Sequence, residues 1–135
     1  LVWEEDCKIL GYAYGSAPFE RAAYRWCGEV SVYLHPQIHR RGIGRRLYRC
    51  LEAIMQQQGF RVLYALVTQE NQGSLDFHKA VGYEKVAEFP ACGYKHGRWL
   101  SVIWLEKAIN PPSVANQAPV SVGEIVNIDR FFCDF

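Results

Sequence analysis

The sequence predicts a single α/β domain built on a mixed sheet, and three observations carry that prediction. Glu29 to Leu34 sets Val30, Val32 and Leu34 against Glu29, Ser31 and Tyr33, the two-residue period of a half-buried strand. Ile43 to Gln58 places Ile43, Leu47, Leu51, Ile54 and Met55 on one face at helical spacing. Strand-like and helix-like segments then follow one another along the chain, an order that gives an α/β arrangement. The chain of 135 residues suits one buried core.

Leu1 to Glu4 and Ile9 to Tyr14 read as two strands joined by a turn at Asp6-Cys7-Lys8. The Gly/Ser/Ala/Pro stretch from Gly15 to Pro18 opens a loop that contains Phe19-Glu20-Arg21. Pro36 stops the strand that ends at Leu34, and Gly59 is placed to cap the long helix. Arg61 to Thr68 is dense in Val, Leu and Tyr without alternation, which predicts a strand covered on both faces. Ser74 to Val81 reads as a short helix entered through Asn71-Gln72-Gly73 and ended by Gly82. Tyr83 to Phe89 and Arg98 to Leu105 are late strands separated by Pro90 to Gly97, with Trp99 and Trp104 assigned to the core. Asn110-Pro111-Pro112 ends a first unit, residues 1–110, and leaves 111–135 as a linker and C-terminal extension. There, Ser121-Val122-Gly123-Glu124 matches a capping box for a helix carrying Ile125, Ile128, Phe132 and Phe135 on one face.

Composition excludes several classes. Half the residues are hydrophobic and 21% are charged, which is ordinary for a globular domain. Fifteen basic against fourteen acidic residues leave a net charge of +1, so a general nucleic-acid or membrane-surface binder is not expected. Cys7, Cys27, Cys50, Cys92 and Cys133 are odd in number and form no CxxC pair. A disulfide framework and a metal site are therefore not expected, and a reducing cytoplasm is the predicted location. No apolar run reaches the roughly 20 residues of a membrane span. Trp3 is followed at once by Glu4-Glu5-Asp6, which does not resemble a signal peptide. The opening directly on a strand, without Met, suggests a fragment.

The most informative segment is Leu34-His35-Pro36-Gln37-Ile38-His39-Arg40-Arg41-Gly42-Ile43-Gly44. A strand ends, a loop with two glycines follows, and a helix begins. Glycine lets backbone approach a ligand, and the N–H groups at the positive end of a helix dipole suit a pyrophosphate. Arg40, Arg41, Arg45, Arg46 and Arg49 add charge for further phosphates. A tight turn followed by a solvated basic helix face is the competing reading. Glu29 reads either as a general base or as a solvated carboxylate on an edge strand. His78, beside Phe77, reads either as a proton-transfer group or as a structural histidine. Tyr83 and Tyr64 are further candidate proton donors or core residues.

The same segment resembles the pyrophosphate loop of the GNAT acetyltransferase superfamily, (Arg/Gln)-x-x-Gly-x-(Gly/Ala), with His39 in its first position. That departure implies reduced rather than abolished binding. Gly11-Tyr12-Ala13-Tyr14, Glu29-Val30-Ser31-Val32-Tyr33-Leu34, Asn71-Gln72-Gly73-Ser74, His78-Lys79-Ala80-Val81-Gly82-Tyr83 and Gly93-Tyr94-Lys95-His96-Gly97 resemble its phosphinothricin and methionine-sulfoximine acetyltransferase group. The resemblance runs from Gly11 to Lys107. It implies a mostly antiparallel mixed sheet flanked by helices, here without the family's N-terminal strand and two helices, and acetyl-CoA as cosubstrate.

By the same resemblance, Glu29 is the base and His78 donates to the leaving thiolate or acts beside Glu29. Arg40, Arg41, Gly42, Ile43, Gly44 and Arg45 hold the pyrophosphate. Backbone groups of Val32, Tyr33 and Leu34, with the side chains of Asn71 and Ser74, line the pantetheine arm, although either Asn71 or Ser74 could instead cap the helix. Tyr94-Lys95-His96 is a turn near the acceptor pocket, a contact between two copies in a homodimer, or a solvated hairpin. The implied reaction transfers acetyl to the primary amine of a small amino-acid-like acceptor, with no metal. The alternatives are a different amine acceptor, or an incomplete domain that holds CoA without turnover.

Overall fold

A computed structural model describes residues 1–112, 117–125 and 127–128. Its frame is a six-stranded sheet in the order β1-β2-β3-β4-β6-β5, made of β1 (Val2–Glu5), β2 (Lys8–Ser16), β3 (Cys27–Leu34), β4 (Val62–Thr68), β5 (Glu84–Lys95) and β6 (Arg98–Ala108). Only β3 and β4 run parallel; every other neighbouring pair is antiparallel. The sheet is therefore mixed and mostly antiparallel, as expected. Helix α1 (Ile43–Gln58) connects the parallel pair, and α2 (Gln72–Ala80) connects β4 to β5.

Helix α1 has the predicted limits, because glycine sits at both ends in the left-handed region. Gly42 precedes it at φ 80°, and Gly59 follows at φ 100° with its N–H on the Gln56 and Met55 carbonyls. Its apolar face is wider than predicted, since Tyr48 and Cys50 are buried beside Leu47 and Leu51. That face meets Ala13, Val30, Leu63, Ala65 and Val67 on one side of the sheet to form the core.

Other predictions are corrected. Strand β4 is not covered on both faces: Leu63, Ala65 and Val67 are buried, but Leu66 is 39% exposed on the side without helices. Helix α2 begins at Gln72, two residues before the expected Ser74, because Asn71 rather than Ser74 is the cap; its side chain accepts from the Ser74 N–H at 3.1 Å. Strands β5 and β6 do not stop short of a long loop. Strand β5 continues to Lys95 through an irregularity between Phe89 and Gly93, and His96-Gly97, both at positive φ, make a two-residue hairpin turn. Trp99 is not core: it is 64% exposed and packs on Tyr94 across that hairpin.

The Ser121–Glu124 capping box is present, but it closes a single 3₁₀ turn and Ile125 leaves in an extended conformation. No α-helix follows it among the described residues. Phe132 and Phe135 of the predicted helix lie outside the described residues. The segment around Val120 packs back on α1, where its N–H meets the Gln58 carbonyl and the Gln58 side chain donates to the Val120 carbonyl. The Trp26 indole donates to the Gln117 carbonyl.

Candidate functional site

Strands β3 and β4 part company early. Their pairing covers only Cys27, Gly28 and Glu29 against Val62, Leu63 and Tyr64, although β3 continues to Leu34. The next five residues of β3 thus bond to β2 alone. In an antiparallel ladder the backbone groups of alternate residues point to opposite sides. Ala13 exchanges both its bonds with Leu1, so Tyr12, Tyr14 and Ser16 face β3 and engage Tyr33, Ser31 and Glu29. The N–H and C=O groups of Val32 and the N–H of Leu34 therefore point into the opening between β3 and β4. A ligand carrying amides can complete that edge. The Leu34 carbonyl is engaged, because His39 Nε2 donates to it at 3.1 Å. Tyr33, grouped with Val32 and Leu34 in the sequence, turns its backbone to β2 instead.

At the end of this opening stands the N-terminus of α1. Gly42 offers no side-chain cap, and the first turn carries no acidic residue. The N–H groups of Ile43, Gly44 and Arg45 have no intrahelical acceptor and are left to an anion. The two glycines do different jobs. Gly42 supplies the left-handed backbone, and a side chain there would meet nothing within 4 Å. A Cβ on Gly44 would lie 3.1 Å from Leu34 Cδ1 and 3.3 Å from Phe77 Cε2, so this glycine lets α1 close on β3 and α2.

The arginines separate as well. Arg41 forms a two-pronged pair with Glu5 of β1 at 2.7 and 3.1 Å, with the Trp3 indole donating to the same carboxylate at 3.0 Å. The guanidinium beside Glu5 holds its carboxyl below the usual range. Arg46 lies over the Trp3 ring. Arg40 and Arg45 make no ion pair among the described residues.

Glu29 is the last β3 residue paired to β4, at the apex of the opening, flanked by Ser16 of β2 and Tyr64 of β4. Val30 is buried under α1, so alternation turns the Glu29 side chain to the face without helices. His78 lies on the other side, within the helix layer and 4% exposed. Its Nδ1 is 2.7 Å from the Ser74 carbonyl, which can only accept, so Nδ1 carries the proton. Nε2 is then the acceptor for the Tyr48 hydroxyl at 2.8 Å. Burial holds the His78 pKa below its ordinary value and keeps the ring neutral. The two candidate proton-transfer residues thus approach from opposite faces of the sheet.

Tyr48 was missed by sequence reasoning, although its signal is there. It follows Leu47, three residues before Leu51, and so widens the apolar stripe of α1. Tyr83 is buried, and burial with the nearby Glu52 carboxylate pushes its hydroxyl far above the ordinary range. Tyr64 is pushed up to about 12 by burial, aided by Glu106. A separate cleft of about 650 Å³, lined by Gln72, Asp76, Lys79, Tyr83, Ile103 and Leu105, contains neither Glu29 nor His78 nor any predicted phosphate-binding residue; of the candidate proton donors only Tyr83 reaches it. No cluster of His, Cys, Asp and Glu suited to a metal occurs among the described residues.

Comparison with known proteins bears on this geometry. The acetyltransferase (GNAT) domain model matches residues 1–104. A phosphinothricin N-acetyltransferase of Alcaligenes faecalis is 37% identical over 111 residues, covering 82% of this chain and 56% of the relative. The L-methionine sulfoximine/L-methionine sulfone acetyltransferase of Salmonella typhimurium is 32% identical over 106 residues, covering 78% and 62%. The solved structure of a phosphinothricin acetyltransferase from Sinorhizobium meliloti, in complex with AcCoA, superposes with a TM-score of 0.74 at 33% identity, covering 87% and 63%. The chain thus spans less than two thirds of the length of these relatives. The parted strands, the open helix N-terminus and the sequence match over most of the chain converge on one conclusion: this chain belongs to the GNAT acetyltransferase family.

Proposed function

We propose that this chain carries the catalytic centre of an acetyl-CoA-dependent N-acetyltransferase acting on the primary amine of a small amino-acid-like acceptor. The observation that carries the reading is the early parting of β3 from β4 beside an uncapped helix N-terminus. The chemistry of both features suits acetyl-CoA. The backbone groups of Val32 and Leu34 match the amides of a pantetheine arm. The N–H groups of Ile43, Gly44 and Arg45, with the Arg40 and Arg45 side chains, match the diphosphate. The names of the relatives support the amino-acid-like acceptor.

Acetyl-CoA supplies the acetyl group as a thioester; the remaining work falls to the chain. Glu29, directly or through water, takes a proton from the acceptor ammonium, and the amine nitrogen then bonds to the acetyl carbon as the carbon–sulfur bond breaks. The nitrogen, cationic after the attack, sheds its second proton, and the leaving thiolate takes one up, so the net proton released is the one held by Glu29. For His78 to deliver the thiolate's proton, Tyr48 must turn aside and Nε2 must take up the proton that the nitrogen sheds, because the neutral ring holds its only proton on Nδ1. The free thiols and the absence of an apolar helix long enough to cross a membrane, among the described residues, are compatible with a cytoplasmic setting.

The test is Glu29→Gln, which keeps shape and removes the base. Calorimetric titration should give wild-type CoA affinity, while thiol release near neutral pH falls about 10²–10⁴-fold. Wild-type turnover in the variant would reduce Glu29 to a surface charge. A wild-type chain that binds CoA yet acetylates no amine in a broad panel would establish the alternative, a CoA-holding module without turnover.

A further inference from the structure

The four residues that lead into α1, His39 to Gly42, are all exposed, and they lie between the buried Ile38 and Ile43. Two of them adopt the left-handed region: Arg40 has φ 62° and Gly42 has φ 80°. A non-glycine residue in that conformation is strained and persists only where its surroundings hold it. Two side chains tie this span to the sheet. His39 Nε2 donates to the Leu34 carbonyl at the end of β3, and the Arg41 guanidinium grips both carboxylate oxygens of Glu5 on β1, at 2.7 and 3.1 Å. The second tie has a firm base. The Trp3 indole donates to the same carboxylate, the Trp3 ring packs against the core, and Arg46 near the start of α1 lies over that ring.

We propose that Glu5 is a positioning residue for the anion site: through Arg41 it holds the turn at residues 40–42, so that the N–H groups of Ile43, Gly44 and Arg45 converge on the diphosphate, and Arg41 serves as a brace rather than as a phosphate ligand. The inference rests on the acetyl-CoA reading for the identity of its ligand. A diphosphate drawn to Arg41 also approaches the Glu5 carboxylate, and like charge opposes that approach. The carboxylate accepts from Arg41 and Trp3, which keeps it ionised and the pair intact. An exposed ion pair contributes little to global stability, so the effect of this one is local. It orders the strained turn before the ligand arrives, and a site ordered in advance binds more tightly because less freedom is lost on binding.

The experiment compares wild type with Glu5→Ala, Arg41→Gln, Arg41→Lys and the double variant Glu5→Ala, Arg41→Gln, by calorimetric titration with CoA and by hydrogen exchange without ligand. Each single variant should weaken CoA about three- to tenfold, the scale of one local coupling, at nearly unchanged melting temperature. The double variant should bind no more weakly than Arg41→Gln, because both changes act through one contact. Arg41→Lys keeps the charge but loses the two-pronged fork, so it should bind CoA as weakly as Arg41→Gln. The Arg46 N–H, which bonds to the Gly42 carbonyl at 3.1 Å, should lose protection from exchange in Glu5→Ala while the amides of β4 keep theirs. Unchanged or tighter CoA binding in Glu5→Ala would overturn the inference. So would wild-type affinity in Arg41→Lys beside a loss in Arg41→Gln, the mark of a phosphate ligand, and so would unchanged Arg46 protection in Glu5→Ala. If wild type binds no CoA, the acetyl-CoA reading fails on its own, and the exchange of the Arg46 amide still decides whether Glu5 braces the turn.

Discussion

Tyr48 and His78 hold each other inside the helix layer, and the pair explains how an imidazole can be buried without charge. The Ser74 carbonyl fixes the proton on Nδ1, and the Tyr48 hydroxyl satisfies Nε2. Tyr48→Phe leaves that nitrogen without a partner and should cost about 1–3 kcal/mol, read by denaturant unfolding. Because burial depresses the folded-state pKa of His78 below its ordinary 6.5, the unfolded chain binds the proton more readily. The resulting stability is present above that value and lost as pH falls through it. Melting temperature should therefore drop between pH 7.5 and 5.5 in wild type, and drop less in His78→Leu; identical slopes would mean the histidine is not held neutral. Gly44 makes a second residue-scale case. Its Cβ direction points at Leu34 and Phe77. Gly44→Ala should be tolerated with a small adjustment, whereas Gly44→Val should cost about 1–3 kcal/mol by overpacking. Its primary readout is melting temperature, ahead of any change in ligand affinity.

Among the elements, α2 shows how a polar entry residue can serve two ends. Asn71 Oδ1 caps the helix through the Ser74 N–H, leaving its side-chain NH₂ to donate elsewhere. Asn71→Ala should cost about 0.5–2 kcal/mol as a lost cap. Asn71→Asp keeps the acceptor and removes the donor, so it should retain stability, and a fall in CoA affinity in this variant would assign the amide to the pantetheine arm. At its other end α2 closes on Gly82, at φ 94°, with the Tyr83 N–H on the His78 carbonyl. Strand β3 is the second decisive element. Its period-two pattern was plain in the residues, but its value to the site lies in the edge it leaves open, which pairing alone creates.

At the scale of the whole molecule, one polar link ties α1 to β6 across the core. Lys107 Nζ lies 2.6 Å from Glu52 Oε2, donates to the Val81 carbonyl at 2.8 Å, and sits over the Tyr83 ring. Lys107→Met keeps the stem but strands the Glu52 carboxylate, whose side chain is 14% exposed. The expected loss is about 2–3 kcal/mol, as for an unpaired buried polar group, visible as a lower denaturant midpoint at unchanged slope. The double variant Lys107→Met, Glu52→Gln should recover part of it, since the buried charge is then gone.

Local physics made much of this protein legible in its residues. Gly42 and Gly59 bound α1 because only glycine takes those left-handed positions readily, and the 3.6-residue stripe named its buried face. The glycines and arginines likewise pointed to a candidate phosphate loop through a short motif, and Glu29 entered as a candidate base through the family resemblance. What residues close in sequence could not reveal are relations between distant segments. That β3 and β4 separate after Glu29, that Glu5 occupies Arg41, that Tyr48 and His78 meet, and that Trp99 is exposed while Trp104 stacks on Phe19 each depend on strand order and helix docking. Those contacts join residues 30 to 85 positions apart, and a pattern read in a window of one or two turns carries no information about them; the packing of the tertiary structure decides them.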